Sequence, residues 1–492
     1  MPNLRVLLLY LATIAPALLW AQEPQQPVRL ELPFEIGTSH LEVIPIPDSS
    51  LLVYSKKSNA WLTDATFLIE KFDSQLERGW SAQLDLKYEY EFVRHYTESP
   101  YTYLIFQANR PEHYTFVRIN NDNGTVRQEE YTLDEAELMH EFNVLQGKYF
   151  IIADNRYDQK PVLLYLDPAE KKPLMLPSVY GSESTFSDLL VDPTQGFADV
   201  VLTESNGRIS RLQVKRFNAK GKLLGNYFIL QQENKSLLNA EVTPGDSLSK
   251  MLLGTYGARD LRYSQGFFTS PVASQVVSGE FYSFLQLKNF FKYMKPRREE
   301  RTKKRELARV AAGKEPLHRF RLLLHDLVVT PTGYVLAAEA YYPQYRSGSS
   351  YLDPKLRSGE RAANAYKRTH AVALGFDQNG VLLWDNTFPL RDVTTPELTH
   401  AVEIGHLPGG RFVMVYPEEK KLQYRIMEQD RYSDKETSIE LLPYKQDEKI
   451  TSTEMPGVVR WYGSSFVAFG YQRIRSPKSP SRSVFYINKI TF

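Results

Sequence analysis

Apolar runs recur along this chain in pairs separated by a turn, and four of the pairs begin with a histidine. His40-Leu41-Glu42-Val43 precedes Pro47-Asp48 and Leu51-Leu52-Val53, and His140-Glu141-Phe142-Asn143 precedes Gly147 and Phe150-Ile151-Ile152. His325-Asp326-Leu327-Val328 precedes Thr332-Gly333 and Val335-Leu336, and His400-Ala401-Val402-Glu403 precedes Gly409-Gly410 and Phe412-Val413-Met414. Short apolar runs bounded by turn residues read as strands paired in hairpins. A second hairpin follows each. It shows in Phe72-Asp73 running to Trp80, in Asn121-Asp122-Asn123-Gly124, in Phe217-Asn218-Ala219-Lys220-Gly221, and in Phe376-Asp377-Gln378-Asn379-Gly380 running to Trp384. Glycine supplies the positive φ that such turns require. Two hairpins make four strands, the size of one propeller blade.

First hairpins start near 40, 90, 140, 185, 236, 325, 400 and 453. A repeat close to 50 residues predicts an all-β chain, a β-propeller of seven or eight four-stranded blades spanning 22–492. The second, fifth and eighth units are blurred, which leaves the blade number open. Val28–Ile36 is placed to close the ring against Val484–Ile490. Two packed β-sandwiches compete with this arrangement, but no Pro/Gly/Ser-rich linker divides the chain.

The long step from 236 to 325 holds an insertion at 281–318. Phe281, Phe284, Leu285, Leu287, Phe290, Phe291 and Met294 fall at roughly helical spacing, and Pro296 interrupts them. Good helix formers then run from Arg297 to Ala312 and stop at Gly313, which predicts a two-helix excursion. A second insertion, 344–368, is polar and irregular.

Charge follows these insertions. Residues 288–319 hold twelve Lys/Arg against four Glu, a net +8, and residues 346–368 carry a net +4. The rest of the chain after residue 21 carries a net −11, although the whole chain is only +2. Both insertions bracket one hairpin and therefore emerge on one face, as a basic appendage on an acidic body. Phosphates, acidic glycans and acidic proteins are its natural partners, whereas nucleic acid is not expected because no docking motif accompanies the basic run.

Residues 1–21 read as a secretory signal, with Arg5, an apolar stretch from Val6 to Trp20, and a cut near Ala21-Gln22. The mature chain is then expected in the periplasm or outside the cell, without a transmembrane span. Cysteine is absent, which excludes disulfides and a lipid-modified N-terminal cysteine.

The recurring histidines read as structural, since no carboxylate stands at a fixed spacing from them to complete a metal site. Asn120-Asn121-Asp122-Asn123-Gly124 reads as a turn, because a calcium loop would need a distal glutamate. Asp246-Ser247-Leu248 matches a weak O-glycosylation pattern. No nucleophile elbow, HExxH or phosphate-cradling glycine loop occurs, so no catalytic residue, metal or cofactor is expected. An acid/base carboxylate pair on different blades, as in propeller glycosidases, stays open.

Phe281-Tyr282-Ser283-Phe284, Asn289-Phe290-Phe291-Lys292-Tyr293-Met294, Leu322-Leu323-Leu324-His325-Asp326-Leu327 and Ala338-Glu339-Ala340-Tyr341-Tyr342-Pro343 resemble uncharacterised secreted propeller-like proteins of Bacteroidota. The resemblance implies an association with outer-membrane machinery such as the type IX secretion translocon. The chain is thus expected to be a non-catalytic scaffold or binding subunit of an envelope complex. Phe290, Phe291 and Met294 are its candidate partner contacts, with Arg297, Arg298, Arg301, Lys303, Lys304 and Arg305 steering an acidic partner. That partner would be an outer-membrane β-barrel or its periplasmic subunit. The alternatives are an enzyme acting on glycans or peptides, and a domain resting on anionic outer-membrane lipid.

Overall fold

The computed structural model describes residues 23–34, 39–59, 64–158, 160–177, 184–229, 235–245, 249–273, 279–345, 363–433, 435, 437–477 and 480–492. The expected signal segment, most of the second insertion and Asp246–Leu248 lie outside them. Among the described residues, no helix is long and apolar enough to cross a membrane.

Eight antiparallel sheets form a ring, which settles the blade number at eight. The innermost strands are Ser39–Pro45, Glu91–Glu98, Ala136–Leu145, Thr185–Asp192, Ser236–Val242, Arg321–Leu324 continued by Val328–Thr330, Glu403–Leu407 and Lys449–Arg460. Inner strands of successive blades lie side by side around the axis. Strands Lys449–Arg460, Ser465–Arg475 and Arg482–Thr491 make three quarters of blade 8. The fourth is Arg29–Pro33, paired with Val484–Asn488 as the sequence pattern predicts.

The core is eight wedges, one between each pair of neighbouring blades. The wedge between blades 1 and 2 holds Ile44, Leu52, Tyr54, Leu104 and Phe106, and the seam between blades 8 and 1 holds Val43, Val53, Trp461 and Phe485. Alternate residues of one strand face opposite wedges, so the central strands are apolar on both faces. Recurrent turns lock neighbouring blades together. Asn120, Asn218 and Asp377 each accept backbone N–H groups of their own turn through the side-chain oxygen. Asn120–Gly124 is therefore a hairpin turn, as expected. Trp80 of blade 1 donates its indole N–H to Asn121 of blade 2 at 3.1 Å.

The first insertion differs from its predicted form. Glu280–Ser283 is not helical; it is the outermost strand of blade 5, since blade 5 otherwise lacks a fourth strand. A short 3-10 turn, Phe290–Tyr293, follows, and only then one α-helix, α1, Pro296–Ala311. The apolar spacing that suggested a first helix belongs to a plug. Phe284, Leu287, Phe290, Phe291 and Met294 are buried in the wedge between blades 5 and 6. The ends of the second insertion are also strand rather than loop: Gly333–Gln344 and Ala365–Asp377 extend blade 6 past its neighbours.

Gly124 has φ +71°, and a Cβ there would come within 2.6 Å of the Trp80 ring, whereas Gly147 at φ +73° faces open space. Gly147→Ala should therefore lose only the backbone term, about 1–2 kcal/mol. Gly124→Ala should lose roughly 1–3 kcal/mol more, because Trp80 must move. Urea unfolding of the two variants measures the difference, and equal losses would refute the blade-locking role of this turn.

Candidate functional sites

Register exposes a feature that the histidines hid. Glu42 pairs with Tyr54, Glu141 with Ile152, Asp188 with Val201, Glu241 with Leu253 and Glu403 with Val415. These are equivalent positions of five inner strands, and each partner is a fully buried apolar residue of the second strand. Blade 2 places Arg94 there, opposite Ile105, and blade 8 places Gly457, opposite Phe469. In blade 6, Asp326 occupies the break between the two pieces of the inner strand. A ring of six carboxylates and one arginine thus surrounds the axis. The histidines stand at no fixed spacing from these carboxylates, as the sequence indicated; the carboxylates recur instead at a fixed place relative to the hairpin turn.

Two of these side chains reach along the ring to the next blade. Asp188 accepts the Val242 N–H at 2.8 Å, and Glu403 accepts the Arg460 N–H at 3.4 Å. Burial, aided by Asp326 and opposed by the Val242 bond, pushes the Asp188 carboxyl up to about 7. Burial likewise pushes Glu403 up to about 7, against the favourable pull of His325. Glu141 and Glu241 are raised by burial and then by the charges of Asp188 and Asp326. Confined carboxyls of like charge resist ionisation together. A carboxyl poised near neutrality can give or take a proton, and an ionised one attracts cations. Among the described residues, no three His, Asp or Glu side chains converge to hold a metal ion.

The four recurring histidines take up partners around this ring. His40 meets Glu42 at 3.1 Å, His140 meets Asp154 at 2.8 Å, and His325 meets Glu339 at 3.0 Å. His400 bonds the Leu324 carbonyl at 2.7 Å and stacks on His325 with 4.0 Å between centroids. Glu339 is fully buried in blade 6 and accepts the Ala401 and Val402 N–H groups of blade 7. Burial alone would raise its pKa, but the His325 bond and the blade 7 N–H groups hold it below the usual range. These contacts serve cohesion.

The nine residues nominated from the sequence separate into three buried apolar side chains, one inward-turned lysine and five exposed cations. Phe290, Phe291 and Met294 are buried against the protein's own blades and present no surface. The apolar plug is stitched in place: Asp385 accepts the Lys288 and Asn289 N–H groups, and Tyr432 bonds the Lys292 carbonyl. Lys303 turns inward to Glu299 at 2.9 Å. Arg297, Arg298, Arg301, Lys304 and Arg305 are exposed. Helix α1 rests on polar residues, Glu299, Thr302 and Glu306, and leaves Leu307 and Val310 in solvent beside its cations. Glu306 is satisfied by the Leu317 N–H at 2.7 Å and His318 at 2.8 Å.

No protein-family model matches this sequence, and no curated protein matches it. Among solved structures it is distantly similar to polysaccharide lyase Uly1, at 12% identity and a TM-score of 0.38. That alignment covers 83% of this chain and 94% of the other. It is also distantly similar to cobalt-substituted Synechocystis ACO, an apocarotenoid oxygenase, at 10% identity and a TM-score of 0.31 over 50% of this chain and 64% of the other. The chemistry of the present chain rests on its own residues.

The raised Asp188 carboxyl makes a stability prediction with a definite sign. A group raised from 3.8 to about 7 contributes fully below pH 3.8, and that contribution is lost as pH rises through 7. Asp188→Asn keeps an acceptor for Val242 and cannot ionise. It should therefore match the wild type in urea at about pH 4 and exceed it at about pH 8, the gap opening between those values. A gap of the opposite sign at pH 8 would show that ionised Asp188 is stabilised on the axis.

Proposed function

We propose that this chain is a non-catalytic binding propeller of a bacterial cell envelope, docking an acidic protein through the outward face of α1. The observation that carries this reading is the inverted character of the helix. Its polar residues Glu299, Thr302 and Glu306 face the body, while Leu307, Val310 and five cations face solvent. A helix that served only to cover the core would show the reverse pattern. Apolar atoms ringed by cations suit an interface whose lifetime comes from burial and whose association rate comes from charge. An outer-membrane β-barrel or its periplasmic subunit, acidic on the contacting side, fits that description.

Deleting the insertion is not a usable test, because its first half fills the wedge between blades 5 and 6. The combined substitutions Arg297→Glu, Arg301→Glu and Lys304→Glu touch only exposed positions and should leave the melting curve unchanged. They should weaken capture of an acidic envelope protein at low salt by at least about tenfold. Equal capture by both forms refutes the reading, and capture of anionic vesicles in place of a protein replaces it with lipid binding.

The axial ring favours a second reading, an enzyme that acts on glycans by carboxyl acid/base chemistry. Two groups near 7, Asp188 and Glu403, have the poise of general acids. Turnover of a polysaccharide by the wild type, lost in Asp188→Asn or Glu403→Gln with the fold intact, would establish it in place of the first.

A further inference from the structure

A cleft of about 380 Å³ opens between blades 5 and 6, and no residue of α1 is among those lining it. This is within the size range of small-ligand sites. Its walls come from Tyr263, from Arg319 and Arg321 where the chain enters blade 6, and from Tyr341, Tyr342 and Tyr345 at the end of that blade's second strand. The topology that puts both insertions on one face therefore also gathers aromatic side chains and arginines at one spot. No carboxylate is among the described residues lining it.

Arg321 lines this cleft. Its guanidinium lies 5.3 Å from the centroid of the Tyr263 ring. Its Nε is buried and has no hydrogen-bond partner among the described residues. A buried donor without an acceptor is costly, and a guanidinium is shaped to take a carboxylate. Asp260 forms a two-bond pair with Arg262 at 2.9 and 3.0 Å, and Glu315 pairs at 2.9 Å with Arg319, the other arginine of the wall, so neither acid is given a bond to Arg321. Tyr342 and Tyr345 are exposed. Their rings offer flat apolar faces, and their hydroxyls donate and accept. A purely apolar ligand would leave those hydroxyls and the guanidinium unpaired. A ligand with C–H faces, peripheral hydroxyls and a carboxylate would satisfy all three.

We propose that this cleft binds a carboxylated saccharide, Arg321 taking the carboxylate and Tyr342 and Tyr345 stacking on the sugar rings. The proposal does not depend on docking through α1. Calorimetry of the full chain with trigalacturonate, with maltotriose as the neutral trisaccharide, and with inorganic phosphate tests it. Trigalacturonate should bind at least about tenfold more tightly than either comparison ligand, the margin of a hydrogen bond to a charged group. Arg321→Met should remove that margin. The double variant Tyr342→Ala, Tyr345→Ala lies on exposed positions that leave folding intact, and should weaken binding roughly three- to tenfold or more. It decides the matter if Arg321→Met fails to fold. Absence of trigalacturonate binding overturns the proposal, as does equal binding of maltotriose. Equally tight phosphate reduces the cleft to an anion site and overturns it too.

Discussion

Everything in this molecule depends on closing the ring. Each blade buries one face against the blade before it and the other against the blade after it, so an open end would leave an apolar wedge in water. The strand Arg29–Pro33 prevents this by completing blade 8 from the opposite end of the chain. Polar contacts fix it there. Arg29 reaches Glu31, Asn488 and Gln472, and Arg482 joins Glu31 to Glu448. At the seam, the Trp461 indole N–H meets the Ser50 carbonyl of blade 1 at 3.0 Å. Strand pairing between remote segments is entropically demanding, and here it is rewarded only when the eighth wedge forms.

The same geometry explains why the axis is acidic. Inner strands converge there, and backbone N–H groups of one blade face side chains of the previous one. A carboxylate is well suited to accept them, as Asp188 does from Val242 and Glu339 does from Ala401 and Val402. Repeating that device around a narrow ring buries the carboxyls and brings like charges together, and both effects raise the pKa of Glu141, Asp188, Glu241 and Glu403. Farther out, between blades 4 and 5, opposite charges solve the same problem. Asp199 is fully buried between Arg216 at 2.7 Å and Lys250 at 2.8 Å. Such a knot adds little net stability compared with apolar packing, but losing one partner would strand a buried charge. Among the described residues at the equivalent inner-strand positions, Arg94 is the one cation.

Short apolar runs bounded by turn residues made the blades legible in the sequence, because the central strands are apolar on both faces. Predicted starts at 40, 90, 185 and 236 lie within a residue of strands beginning at Ser39, Glu91, Thr185 and Ser236. The closing strand was legible for the same reason. Phe281–Met294 misled because aromatic residues at helical spacing also suit an irregular plug, whose shape is dictated by the wedge it fills rather than by its own periodicity. The carboxylate ring was missed because bulges shift the histidines relative to the turns. Met139 and Glu141 flank a register shift in blade 3, with His140 unpaired between them, and Phe92 and Arg94 flank one in blade 2. Counting back from the turn would have aligned Glu42, Glu141, Asp188, Glu241 and Glu403. The arginine cleft gave no sequence signal, since its walls come from parts of two blades that meet only after folding.

The plug ties these features into one arrangement. Because Phe284 to Met294 fill the wedge between blades 5 and 6, the chain leaves the body there and must return to start blade 6 at Arg321. Helix α1 is that return path, and its inward carboxylates Glu299 and Glu306 are spent on Lys292, Lys303 and His318. The basic residues left over can only face outward or line the gap beside the returning chain. The lengthened strands of blade 6, ending at Gln344 and resuming at Ala365, raise Tyr341, Tyr342 and Tyr345 to meet that gap. A positive, aromatic face and a negative axis in one rigid ring are thus consequences of where one wedge needed filling.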